Sequence, residues 1–409
     1  MKVIRLGCGV LFAAAVTVAA GAAERVPLPE GDNGIAARYP GDAGISADPA
    51  VVFIENFEEG SVGAVKSRWE DSGGQMELVA ETPAGSSGKS SVLMTHVGGK
   101  GTGSMLWRRI KNKSGGYGYD TLFLRSYVRF DPDCNPLHHF GCNLGGRNPV
   151  GPKWPMGNAG LRPTGADRFS TGPETDGKNW KWDWYNYWGE MRSWNNPDGT
   201  GSSFYGNDFF AKLRPPVAKG KWICVEFMIK LNTPVTERNG EMALWIDGCL
   251  VRAGGQVIGH HGPGFPNGHW IRDSWVPRKS DPPFEGLKWR KTADLKINTM
   301  GTTVYITKAP AGKVSKVWFD DIVLATKYVG PIATRKATQP KAEVEAAAPK
   351  STPEARRNAI AEKEAGRLFQ MARQAERMGQ KAVARSLYQQ IVEKHAGTGV
   401  AEKARAKLD

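Results

Sequence analysis

The run NWKWDWYNYWGEMRSW at 179–194 holds five tryptophans and two tyrosines in sixteen residues. In an extended chain successive side chains point to opposite faces. Trp180, Trp182, Trp184 and Trp188 then share one face, and Lys181, Asp183, Tyr185 and Tyr187 share the other. A row of indoles suits the wall between two packed sheets, whereas tyrosines carry a polar tip that suits a site. A bulge at Gly189 would swing Glu190 and Arg192 onto the tyrosine face. A phenol titrates at about 10, and a guanidinium beside it favours the ionised form, so this grouping could take up and release a proton. Pure packing is the rival account of the same aromatic residues.

Other residues fit around that pair. Arg162, Arg168 and Ser170 lie upstream, and His138, His139 and Asn143 lie in the glycine-rich HHFGCNLGGR. Adjacent histidines on a strand face opposite ways, so one of each pair is available to a given site. His260, His261 and His269 fall in GHHGPGFPNGHW, read as a loop that rims the site, with His261 as the contact. No CxxC or paired HxxxH spacing appears, so no metal and no cofactor are expected. The carboxylates of FDD at 319–321 are read as partners of loop amides.

These side chains need a scaffold, and the chain from 51 to 331 supplies strands. Runs such as VVFIENF, SSVLMTHV, SMLWRRI, LFLRSYVRF, WICVEFMIKLN, EMALWIDGCLV, TTVYITK and KVWFDDIVLATKYV alternate with Gly, Pro and Asn clusters. No helical periodicity of useful length interrupts them. The pattern predicts an all-β domain, a two-sheet antiparallel sandwich or jelly roll. WICVEFMIKLN and EMALWIDGCLV read as a hairpin with Asn232 facing Glu241. That register sets Phe227 against Ile246, Ile229 against Leu244 and Cys224 against Cys249. A Cys224–Cys249 bridge is expected from it, leaving Cys134 with Cys142; four buried thiols are the alternative.

Flanking segments differ in kind. Residues 1–22 carry Lys2 and Arg5, then an apolar run ending in Ala20, Gly21 and Ala22, the layout of a cleavable signal peptide. The expected location is secreted or periplasmic, with an irregular leader at 23–50. Residues 332–353 form an Ala, Pro and Lys-rich linker. From 354 to 409 small and apolar residues recur at helical spacing, with Ala372, Ala375, Gly379, Ala384, Tyr388 and Ile391 placed as in a tetratricopeptide (TPR) helix pair. One such pair is short of a stable array, so a protein partner or self-association through this tail is expected.

In order, LFLRSYVRFDPD, the glycine-rich HHFGCNLGGR, the Tyr-x-Tyr pair, the hairpin at 220–251 and the closing VWFDDIVLATKYVGP resemble the jelly-roll polysaccharide lyases related to alginate and glucuronan lyases, families 14 and 20. The resemblance spans roughly 50–331 and implies a concanavalin A-like sandwich. It also implies proton transfer by Tyr185 and Tyr187 in a cleft. Such enzymes cleave a uronate polymer by β-elimination: the C5 proton is removed once a cationic or hydrogen-bonding group neutralises the adjacent carboxylate. Arg168, Arg192, His139 and Asn143 would serve there, with Arg162, Ser170, Glu190 and His261 touching substrate. The lysine of the family's glycine-rich strand has no counterpart in HHFGCNLGG, and Arg168-Phe169-Ser170 stands where the family has Ser-x-Arg. A domain that binds carbohydrate or adheres to a surface without catalysis is therefore the second expectation.

Charge is consistent with either. The net charge is +14, with much of the excess in the tail, so the middle domain is modestly basic and suits an acidic polysaccharide. The export signal speaks against nucleic acid, and no later run reaches the length of a membrane span. A glycoside hydrolase on the same sandwich would need two close carboxylates, and Asp183 and Glu190 are seven positions apart.

Overall fold

The computed structural model describes residues 27–152, 159–333, 353–377 and 379–408. The signal segment at 1–22 and the linker from 334 to 352 lie outside the described residues. No described helix is long and apolar enough to cross a membrane.

Two antiparallel sheets form the sandwich among the described residues. The nine-stranded sheet runs through Cys249–Leu250, Glu241–Ile246, Ile223–Lys230, Thr121–Phe130, Val314–Ala325, Ser91–Val97 and Gln75–Val79, with Val51–Glu55 and His260–His261 attached. The five-stranded sheet runs Asp71–Gly73, Gly103–Arg109, Thr299–Tyr305, His139–Arg147 and Arg168–Thr171. Period-2 alternation sorts each strand. Leu122, Leu124, Val128 and Phe130 face the core, where Phe140, Leu144, Met300 and Val304 meet them from the other sheet. Phe130 lies 4.7 Å from Phe140 between ring centres, and Phe140 stacks on Phe319 at 5.7 Å. Trp182 and Trp184 enter this core, each worth about 1.5–3 kcal/mol of burial by the scale for large apolar side chains.

The central hairpin forms in a register two residues from the expected one. Lys230 faces Glu241, Phe227 faces Leu244 and Ile229 faces Met242. A slip of two keeps every side chain on its face, which is why the apolar pattern alone did not discriminate between the two registers. Asp247 and Gly248 supply the turn into Cys249–Leu250, both with positive φ, 50° and 78°, the requirement of a tight two-residue hairpin. Consequently Cys249 pairs with Ile246, while Cys224 exchanges hydrogen bonds with Asp247. The expected Cys224–Cys249 and Cys134–Cys142 bridges are not present. All four are buried free thiols, and Cys142 lies 3.3 Å from the Thr302 hydroxyl.

Two further expectations are corrected. The extended segment around the tryptophans is only Trp182–Trp184, because Trp180 sits at φ 50° and Lys181 merely bridges Pro216. His260–His261 is a strand paired with Met242 and Ala243, not a loop. The leader is tied to the outer face of the nine-stranded sheet: Ile35 and Ala36 amides donate to Tyr328 and Val329. The tail folds as helices Pro353–Arg377, Lys381–Lys394 and Gly399–Arg405 around Ala372, Ala375, Ala384, Tyr388 and Ile391. It meets the sandwich through Arg377 and Asp247, 3.1 Å apart.

Candidate active site

The core claims the even-numbered side chains of His139–Arg147, namely Phe140, Cys142 and Leu144. His139, Gly141, Asn143, Gly145 and Arg147 therefore point to the outer face of the five-stranded sheet. Tyr305 pairs with His139, Thr303 with Gly141, and Gly301 with Asn143, so those residues join the same face. Three glycines in this patch keep it shallow. Met105, Trp107, His139, Thr303 and Tyr305 line a groove of about 190 Å³ on it.

At the His139 end the polar groups connect. His139 Nδ1 is 3.1 Å from the Glu174 carboxylate, and its ring centre is 4.8 Å from that of Tyr185 and 5.7 Å from that of Tyr305. The Tyr185 and Tyr187 hydroxyls are 3.4 Å apart, and Tyr187 also donates to the Phe204 carbonyl at 3.2 Å. A carboxylate on Nδ1 fixes the Nδ1–H tautomer. Nε2 is left with no hydrogen bond to the described residues and an unshared pair for a proton. Gly206, at φ 94°, is required here because a Cβ would strike the Tyr185 ring; Gly172 likewise leaves room for the Asn143 amide.

Burial sets the protonation states. Burial lowers the His139 pKa, but the hydrogen bond and charge of Glu174 outweigh it, and the imidazole ends above its ordinary value. Glu174 is held above the usual carboxylate range by burial, against the pull of His139. Tyr185 is pushed far up by burial and by its hydrogen bond to Tyr187. Tyr187 is raised by burial too, and Arg168 only partly offsets this. The expectation of a phenol lowered by a guanidinium is thus reversed: burial keeps both tyrosines neutral donors, and His139, with Nε2 open, is left as the proton acceptor of the group.

The residues expected at the site separate into groups. His139, Tyr185 and Tyr187 come together, Ser170 joins them through its backbone bridge to Tyr187, and Asn143 lies on the same face four residues along the strand from His139. Arg168 sits at the far edge of the same face, paired with Asp167 at 2.5 Å. Arg162, Glu190 and Arg192 line a separate pocket of about 670 Å³ with Arg238 and Glu285. There Arg192 lies 5.0 Å over the Trp270 ring and Arg162 lies 5.3 Å over Phe204, the residue whose carbonyl receives Tyr187. His261 is fully buried among Phe209, Phe210 and Phe284, so it does not rim the cleft. His138 precedes the strand and stacks on His139 at 4.4 Å instead of facing away.

Sequence reasoning missed Glu174, Tyr305 and Arg147. Tyr305 was within reach, since it ends the alternating TTVY run on the side away from Val304. Glu174 lies in GPETDGKN, where no periodicity marks a side, and only the fold brings it to His139.

The class defined by these observations is a two-sheet antiparallel β-sandwich with a polar cleft on its smaller sheet. No family model matches the sequence, and no curated protein matches it. Among solved structures it is similar to an alginate lyase from a Chlorella virus, at 13% identity and TM-score 0.43, over 68% of this chain and all of that one. It is also similar to an alginate lyase solved with an alginate tetrasaccharide, at 16% and 0.40 over 70% of this chain and all of the other. An endo-β-1,4-glucuronan lyase from the fungus Trichoderma reesei matches at 14% and 0.37, over 68% and 96%. At that level the site is read from this chain's own residues.

Proposed function

We propose that this protein is a secreted polysaccharide lyase-like protein that binds an acidic, uronate-containing polymer and cleaves it by β-elimination without a metal. The observation that carries this reading is the Glu174–His139–Tyr185–Tyr187 chain on an open sheet face. Neutral His139 takes the C5 proton on Nε2; the electrons form the C4–C5 double bond as the C4–O bond breaks. Tyr185 then gives its proton to the leaving oxygen, and Tyr187 and the imidazolium re-supply it. Asn143, buried on this face, supplies an amide to the uronate carboxylate, a weaker neutraliser than a cation.

That weakness favours a second reading, a carbohydrate-binding domain without chemistry. Purified protein incubated with alginate, glucuronan, pectate, hyaluronan and heparin separates the two. Growth of ultraviolet absorbance from unsaturated uronate ends, abolished in His139→Ala and Tyr185→Phe, is the expected result. Retardation in polysaccharide gels with a flat absorbance trace would replace the lyase reading with the binding one.

A further inference from the structure

At the opposite end of the face from His139, Arg147 and Arg168 are directly opposed across two antiparallel strands. Directly opposed side chains project to the same side with Cβ atoms about 5 Å apart, and like charges so placed repel. Of the two, only Arg168 has a carboxylate partner among the described residues. Asp167 pairs with Arg168, and its other oxygen is occupied by the Thr164 amide and hydroxyl. The Arg147 side chain makes no hydrogen bond or ion pair with the described residues. Arg168 Nε is buried and also has no hydrogen-bond partner among the described residues. Both guanidinia line a pocket of about 410 Å³ closed by the 148–152 loop. Two residue pairs further along, on the same face, Gly145 lies beside Ser170, whose buried hydroxyl makes no hydrogen bond among the described residues.

Two facing cations, one paired with a carboxylate already saturated and the other unpaired among the described residues, form an arrangement that an anion would complete. Planar guanidinium forks suit a carboxylate in two-point contact. Arg147 is four residues from Asn143 on the same strand, about 13 Å at strand rise, so a polymer lying along the face would reach both. We propose that Arg147 and Arg168 form a carboxylate-binding subsite that holds a uronate unit of the bound polymer remote from the point of cleavage. The proposal rests on the polysaccharide reading above. It makes Arg147 a residue that selects acidic over neutral chains.

The test compares wild type, Arg147→Ala and Arg147→Lys by gel retardation in polyuronate and in a neutral glucan, and by thermal unfolding with and without sodium sulfate. Loss of a charge-assisted contact corresponds to roughly ten- to a hundredfold weaker retention in polyuronate, with no change in the glucan. Lysine should restore only part of it. Sulfate should raise the unfolding midpoint of wild type and not of Arg147→Ala. Without sulfate the Ala variant should unfold no earlier than wild type, because repulsion has been relieved. Unchanged retention of Arg147→Ala, or a lower midpoint that still responds to sulfate, overturns the subsite. If wild type cleaves a polyuronate while Arg147→Ala binds it normally, only the subsite falls. If wild type neither cleaves nor is retained by any polyuronate, the polysaccharide reading falls and takes the uronate subsite with it; a sulfate response lost in Arg147→Ala would then show an anion site of another kind.

Discussion

The outer faces of the two sheets are both rich in polar residues, and they treat them differently. On the nine-stranded sheet, Glu226 accepts the Val329 and Gly330 amides at 2.7 and 2.8 Å, Tyr127 accepts the Ile332 amide, and Trp245 donates to the Pro29 carbonyl. Buried Arg125 binds Asp42 and the Gly330 and Asp321 carbonyls. These side chains are spent on holding the leader and the closing segment. On the five-stranded sheet Ser170 Oγ and Thr299 Oγ1 are buried without a hydrogen bond among the described residues, as is one oxygen of Glu174, which reaches His139 from a neighbouring two-stranded sheet. Buried polar groups are normally satisfied. Buried atoms without a hydrogen bond among the described residues occur on the larger sheet too, at Arg125 Nε and Trp318 Nε1. The faces therefore differ in use: Arg125, Tyr127, Glu226 and Trp245 hold the leader and closing segment, whereas the Ser170 and Thr299 hydroxyls hold nothing among the described residues.

The comparison is broken most severely at Arg125. Arg125→Ala strands Asp42 and removes the fork that holds two carbonyls, so it should cost about 3–5 kcal/mol in urea unfolding; a loss below about 1 kcal/mol would mean that this face is no clamp. Glu226 gives the next largest effect. Burial pushes its pKa from 4.5 up to about 7, against the pull of the two amides. A raised carboxylate contributes stability that is fully present below pH 4.5 and lost as pH rises through about 7. The swing is up to about 3 kcal/mol at about 1.4 kcal/mol per pH unit. Unfolding free energy should therefore fall from pH 5 to pH 8, and Glu226→Gln should flatten that slope.

At the cleft the same kind of change should leave stability almost untouched and alter activity. Glu174→Gln removes the charge that holds the His139 pKa up. The acidic limb of the cleavage rate should move to lower pH while the unfolding midpoint shifts by less than the Arg125 variant's; a limb that stays in place would remove His139 from the role of base. The smallest effect is expected where the tail meets the sandwich. Arg377 and Asp247 form a partly exposed pair, and Arg377→Ala should cost under about 1 kcal/mol.

The scaffold was legible because burial writes a period of two into strands. LFLRSYVRF shows its core side at Leu122, Leu124, Val128 and Phe130 and its clamp side at Arg125 and Tyr127. The tryptophans of 182 and 184 declared themselves core for the same reason. Register was not legible, since slips of two leave the pattern intact, and with it went the cysteine pairing. The Tyr-x-Tyr pair could be found, but not its electrostatics: phenol pKa values follow burial, and burial here is set by Gly206, Phe204 and Glu174, none of which the pattern tied to Tyr185. Arg192 and Glu190 were placed on the tyrosine face by a bulge at Gly189; the chain instead leaves the strand after Trp184 and carries them to a neighbouring pocket.

The Tyr328 hydroxyl reaches the carbonyl of Gly31, 297 residues earlier in the chain, and that of Gly248. Both ends of the β-domain must exist before this knot of contacts can close. Such distant closure is slow, because the intervening chain loses its freedom before the contacts repay it. During folding the sandwich would pass through a stage with its sheets formed and its seam open. The seam should also be the first part to open: amides of Ile35 and Ala36 should exchange with solvent sooner than those of Leu124 and Phe227, and in a pulse of deuterium during refolding they should be the later ones protected.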